Sequence, residues 1–285
     1  MRSGTGPDPR GKAQPLLIAT EDPLNIVVPV KSVIDVELNI RVRDGKIVED
    51  GLNYILSKWD ENALEAALQL KEATGGEVTA VTIGPERSGE ALRKALAMGA
   101  DKGIHVNDPA TEGSDSFGYA KILAKAIQRG PFDLVITGRQ AQDTDMGATG
   151  AALAELLGAP LCVNIVKIET PAGDGKLTLR RKGDVGAEVM EVTLPAVLTA
   201  NDSLNEPRLA SLRGIMQAKK KPMEVLTLAD LGIAPDEVGA AGAGVEIVEF
   251  SPPPQRAAGK KFEGDAEEIT RQVVDLLANE AKIFA

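Results

Sequence analysis

The residues best suited to chemistry lie in one glycine-punctuated run, Gly138-Arg139-Gln140-Ala141-Gln142-Asp143-Thr144-Asp145-Met146-Gly147-Ala148-Thr149-Gly150. Small side chains at Gly147, Ala148 and Gly150 let backbone amides approach a phosphate, Thr149 supplies a hydroxyl donor, and Arg139 brings positive charge. A helix starting here would add the positive end of its dipole. Asp143 and Asp145 flank the same run, where they could bind Mg²⁺, accept from a ribose, or stabilise the loop through bonds to its own backbone. An ordinary glycine-containing loop-to-helix junction has the same composition, so the run alone leaves both readings open.

Several other chemistries are excluded by what the chain lacks. No Gly-Lys-Ser/Thr closes the 138–150 run or Gly84 to Gly89, so neither is a Walker A loop. No strand leads into a G-x-G-x-x-G, and no G-x-S-x-G elbow is present. A single Cys (Cys162) and a single His (His105) rule out an internal disulfide, a Cys/His zinc cluster and any two-histidine mechanism. His105 reads as a core or rim residue. Lone Trp59 reads first as a half-buried packing residue.

The chain has 285 residues and a formal net charge of −10, a balance that disfavours nucleic acid and anionic membrane surfaces as partners. No apolar run approaches the roughly 18 residues of a bilayer span, and Met1 to Arg10 is not followed by a secretory apolar region. A cytoplasmic protein, not membrane-spanning, is expected. At this length roughly 75% of the unfolded chain's surface is buried on folding, so a core forms without disulfides or metal.

Residues 1–23 lack periodicity and are expected to be a disordered extension or expression remnant. Strands are expected at Asn25–Val30, Val78–Ile83, around His105, and at Asp133–Thr137. Helices are expected at Asp60–Lys71 with Asp60 as N-cap, at Ser88–Met98, at Ser116–Gln128, and from the glycine loop to Leu157. This alternation predicts an α/β fold with a doubly wound, mostly parallel sheet, Rossmann-like. Val/Thr/Leu-rich strands at Lys176–Arg181 and Ala187–Thr193 predict a short antiparallel extension. Gly239–Gly244 reads as a flexible spacer and Ser251–Pro254 as a stiff one. Helical periodicity from Ala266 to Phe284 ends an arm with little core of its own. The expected division is therefore a 24–225 nucleotide-binding domain and a 226–285 arm that wraps a partner subunit.

In open α/β sheets ligands sit beyond the carboxyl ends of strands, at the switch point. That rule selects Pro29, the helix start Ser57-Lys58-Trp59-Asp60, Ile83-Gly84, and the 138–150 loop.

Long motifs in order over residues 25 to 265 resemble the beta subunits of electron-transfer flavoproteins. They include Val30-Lys31 with Ile34-Asp35, Ala95 through Val106, Gly138-Arg139-Gln140-Ala141 with Asp143 and Asp145, Leu194 through Ala200, Leu204-Asn205-Glu206-Pro207-Arg208, and Pro253-Pro254-Gln255-Arg256. The resemblance implies that the Rossmann-like fold is of adenine-nucleotide-binding type and that the chain is an electron-carrier subunit without independent turnover. Its partner would be an alpha subunit that holds most of the redox-active FAD, while this chain binds a structural AMP. The AMP contacts it implies are Pro29, Ser57, Lys58, Trp59, Asp60, Ile83, Gly138, Arg139, Gln140, Asp143, Asp145, Gly147, Ala148 and Thr149, the same places the switch-point rule selects. It also implies that Leu204, Asn205, Glu206 and Pro207 form a recognition loop, with Leu204 an exposed apolar anchor for flavin dehydrogenases of acyl-CoA type. Electrons would pass on to a membrane quinone oxidoreductase.

Three departures bear on these expectations. Lys182 stands where some relatives have a glutamate that steers the flavin domain, Val36 replaces an aromatic near the flavin, and the Asp143 to Gly150 octapeptide is unlike either common version. The alternative within the family is an electron-bifurcating complex with a second FAD in place of AMP. Thr149 resembles the AMP-binding branch. A freestanding nucleotide-binding enzyme is the other rival, and Pro29-Val30-Lys31-Ser32-Val33 lacks the phosphate loop it needs.

Overall fold

The computed structural model describes residues 23–171, 175–254 and 259–283. The extension expected over residues 1–23 lies outside these except for Pro23, as do Gln255, Arg256 and Phe284.

The apolar runs form strands of one nine-stranded sheet: β1 (Asn25–Pro29), β6 (Glu77–Ile83), β7 (Lys102–Val106), β8 (Leu134–Gly138), β9 (Leu161–Pro171), β10 (Lys176–Lys182), β11 (Ala187–Thr193), β12 (Ala196–Ala200) and β13 (Met223–Leu226). Two small ribbons lie outside it, β2 (Ser32–Ile34) with β5 (Tyr54–Leu56) and β3 (Val42–Arg43) with β4 (Lys46–Ile47). The sheet order is β11-β10-β9-β12-β8-β1-β6-β7-β13. Pairing from β9 through β13 is parallel, and β9-β10-β11 is an antiparallel extension. The chain winds outward from β1 to β7, then returns to β8 on the other side of β1. The switch point therefore lies between β1 and β8.

Helices cover both faces, which is why β1 is apolar at successive positions. Ile26 and Val28 join one core with Leu64, Leu68, Leu92 and Leu96 of α1 (Lys58–Thr74) and α2 (Gly89–Met98). Val27 faces the other core, with Ile122 and Leu123 of α3 (Ser116–Ile127) and Leu153 of α4 (Thr149–Leu157). A short α5 (Leu212–Ala218) rests on α2, where Gly214 allows close approach to the Ala97 carbonyl.

The helix expected from Asp60 begins earlier, at Lys58, with Ser57 as N-cap, and Gly75 closes it in a left-handed conformation (φ 77°). Gly239–Gly242 forms a turn of helix, α6, rather than a flexible spacer. Its first glycine has φ 64° and lies so close to the Ala110 carbonyl that a Cβ would collide. The polar-apolar piece before it is also fixed: Leu226 pairs with Val106, and Leu228, Leu231, Ile233 and Val238 are buried in the second core. Position 225/226 thus falls inside β13. The last helix, α7 (Ala266–Asn279), has no buried residue.

Candidate functional site

A cavity of about 1090 Å³ opens at the carboxyl ends of β1, β6 and β8. Pro29, Asp60, Ile83, Gly138, Arg139, Gln140, Gly147 and Thr149 of the expected site line it, together with Lys31, Thr137 and the 107–116 loop. The other expected residues brace this wall. The Lys58 amide donates to Gln142 Oε1 (3.2 Å), and the Arg139 guanidinium lies over the Trp59 ring, 5.8 Å from its centroid. Ala148 is the N-cap of α4. Ser57 is fully buried and its hydroxyl has no protein partner.

Asp143 and Asp145 resolve as loop braces. The Asp143 carboxylate pairs with Lys31 Nζ at 2.8 Å, and Asp145 Oδ1 accepts from Gln140 Nε2 at 2.8 Å. Both acids therefore have partners that would compete with a cation. His105 is buried with Nε2 2.9 Å from the Gly84 carbonyl oxygen, in keeping with a core role.

Asp60 is the electrostatic centre of the wall. Its Oδ2 accepts from the Lys31 amide (2.8 Å) and its Oδ1 from the Gly138 amide (3.1 Å). Burial pushes its carboxyl up to about 7, against the pull of those two amides and the Lys31 charge. Capping α1 would satisfy amides that its first turn leaves free. Asp60 instead joins the end of β1 to the end of β8, giving the Lys31 and Gly138 backbone amides their acceptor. Gly138 permits this approach, since a Cβ there would lie 2.5 Å from Asp60 Oδ1 and 2.8 Å from Trp59 Cβ.

The 138–150 loop ends at an uncapped helix start. No side chain caps α4, so its first-turn amides lack a side-chain acceptor. Gly147 turns the chain with φ 65°, and Gly150 sits where a Cβ would lie 2.9 Å from Thr137 Oγ1. That Thr137 hydroxyl is buried without a protein partner. An uncapped helix start beside an orphaned hydroxyl fits the phosphate of a nucleotide. Apolar Pro29, Val30 and Ile83 at the strand ends suit its base. Sequence reasoning missed Lys31, Thr137, and Tyr54 with Arg87 stacked 4.7 Å from its ring centroid. Applying the strand-end rule one residue earlier on β8 would have found Thr137.

The second group of expected residues follows β12 and so leaves the sheet at the same end. Leu204 is not an exposed anchor: it is half-buried and packs against the first core. The fully displayed leucine of this loop is Leu209, 93% exposed, followed by Leu212 and Met216 on α5. Asn205 exchanges bonds with Asn62 of α1, and Glu206 is exposed. Of the departures, Lys182 ends β10 at the surface and Val36 is exposed. Among the described residues no helix is long and apolar enough to cross a membrane.

Residues 44–231 match the family described as Electron transfer flavoprotein domain. A protein of Bacillus subtilis (strain 168) named Electron transfer flavoprotein subunit beta is 39% identical over 262 residues, covering 92% of this chain and 100% of that one. The like-named protein of Mycobacterium tuberculosis (strain H37Rv) is 42% identical over 251 residues, 85% of this chain and 94% of its own. That of Syntrophomonas wolfei is 39% identical over 261 residues, covering 91% and 98% respectively.

Proposed function

The chain belongs to the electron transfer flavoprotein family as a beta subunit, and from that premise we propose that it serves as one half of a heterodimeric electron carrier holding AMP in the switch-point cavity. The observation that carries the nucleotide is the pairing of the uncapped α4 start with the buried, partnerless Thr137 hydroxyl. Thr149 and the first-turn amides of α4 donate to the phosphate, and Gly147 and Gly150 keep Cβ atoms out of its way. Pro29 and Ile83 hold the base. Asp60, fastened to Lys31 and Gly138, keeps the two strand ends at a fixed separation.

FAD, held mainly by the alpha subunit, supplies the redox chemistry when bound. This chain shapes one wall of the flavin's surroundings with Trp59, which the Arg139 guanidinium covers, and α7 grips the alpha subunit through its apolar stripe. The loop of Leu204, Asn205, Glu206 and Pro207, with Leu209 beside it, docks flavin dehydrogenases of acyl-CoA type. Electrons then leave for a membrane quinone oxidoreductase. A small apolar contact of this kind gives register without a long-lived complex.

Co-expression with the alpha subunit, followed by denaturation and quantification of released ligands, tests the proposal. One FAD and one AMP per heterodimer is the expected result. Two FADs without AMP would move the complex to the bifurcating branch, and failure to form a heterodimer would overturn the carrier reading.

A further inference from the structure

We propose that Arg208 is a positioning residue, one that sets the docking loop at a fixed angle on α1 so that partner proteins meet a preformed surface. The inference rests on the reading of 204–207 as the dehydrogenase-docking loop.

Two like-charged acids, Glu65 and Glu72, lie two turns apart on one side of α1, and Glu65 is buried with its side chain only 5% exposed. Arg208 answers both. Its Nε donates to Glu65 Oε2 at 2.7 Å, one terminal nitrogen reaches Glu65 Oε1 and Glu72 Oε2 at 3.1 Å each, and the other pairs with Glu72. Its backbone amide also donates to Glu65 Oε2 at 3.2 Å. Earlier in the loop, Asn62 Nδ2 donates to the Asn205 carbonyl at 2.8 Å, and Asn205 Nδ2 returns a bond to the Asn62 carbonyl at 2.9 Å. The loop is thus tied at 205 and at 208, and Leu209, the next residue, stands 93% exposed.

Only a planar fork with several donors can bridge two carboxylates in this way. A buried ion pair is poor evidence of stabilisation, because apolar residues of similar volume commonly replace it without loss. What it adds here is geometry. A loop already ordered gives up less conformational entropy when a partner docks, so the tie acts on encounter affinity and leaves electron transfer within the complex untouched.

The test uses the intact heterodimer with an acyl-CoA-type flavin dehydrogenase as donor, and compares Arg208→Met, Arg208→Lys and Leu209→Ala. Steady-state turnover gives kcat and the KM for the carrier, and amide hydrogen exchange reports on residues 202–209. Arg208→Met is expected to speed exchange in the loop and raise KM by about tenfold, equivalent to about 1.4 kcal/mol of docking free energy, with kcat changed less than twofold. Arg208→Lys should recover part of the KM. An unchanged KM in Arg208→Met despite faster loop exchange would overturn the positioning role while leaving the docking loop standing. An unchanged KM in Leu209→Ala would remove the docking loop itself, and the proposal with it. If Arg208→Met yields no heterodimer, Glu72→Gln, which removes the more exposed of Arg208's two carboxylate partners and leaves Glu65 paired, carries the same expectation of faster exchange and raised KM, and an unchanged KM there overturns the proposal.

Discussion

A single carboxylate decides much of how the site behaves. Asp60 is buried, and its pKa is raised from 3.8 to about 7 by desolvation, which outweighs the amides of Lys31 and Gly138 and the Lys31 charge. The nearby Asp143 charge pushes in the same direction as burial. Because the folded value lies above the unfolded one, the stability linked to this group is fully present below about pH 4 and is lost as pH rises through about 7. Each unit of separation is worth about 1.4 kcal/mol. Asp60→Asn should therefore flatten the fall in stability between pH 5 and pH 8. It should also weaken the fold at pH 5, because an amide group cannot accept from both backbone N–H groups. Denaturant unfolding of both proteins at the two pH values checks this, and a slope that survives in the variant would exclude Asp60 as its source. In the sequence Asp60 reads as a helix cap and, by the family resemblance, as an AMP contact. Its true partners lie 29 and 78 residues away, beyond the reach of any local pattern.

Among the elements, α1 does two jobs. Its first turn borders the switch-point cavity, and its Asn62, Glu65 and Glu72 hold the 201–209 segment. Periodicity predicted the apolar side of this helix. The polar side carries Asn62 and Glu65, which would be solvent-facing in an isolated amphipathic helix and are buried here because a loop from 143 residues away covers them. A comparable long-range cap finishes α2. Lys221 Nζ donates to the Leu96 carbonyl at 2.9 Å and to the Ala100 carbonyl at 2.5 Å, satisfying acceptors near the helix end where a cation also meets the negative end of the dipole. Burial lowers the Lys221 pKa, the expected cost of this placement. Lys221→Met should destabilise the chain by about 1–3 kcal/mol, the range for stranding buried polar groups. Equal denaturant midpoints for the variant and the parent would show that water replaces the ammonium freely.

At the scale of the molecule, the contrast is between a closed sheet-and-helix body and an exposed end. α7 alternates apolar and charged residues at helical spacing, yet nothing in it is buried, and its Val273, Leu276 and Leu277 line a shallow groove with Phe262. An amphipathic stripe left uncovered in one chain is what a second subunit would cover. Removal of residues 255–285 should therefore abolish co-purification with the alpha subunit, while the melting temperature of the remaining chain alone stays within a few degrees. Retention of a stable heterodimer after this truncation would place the grip elsewhere.

Strand and helix alternation, the absence of a dinucleotide fingerprint, and the choice of strand-end residues around the cavity were all legible in the sequence. These depend on spacing within a few residues and on a topology with one right-handed solution. Packing decided the rest: that Asp60 fastens two strand ends, that Asp143 and Asp145 brace their loop, that Leu204 tucks inward while Leu209 stands out, and that Gly239 docks on Ala110. Each of those outcomes is set by a partner far along the chain. Side-chain type gives the capacity to bond or bury, and only the assembled fold brings the group that uses it.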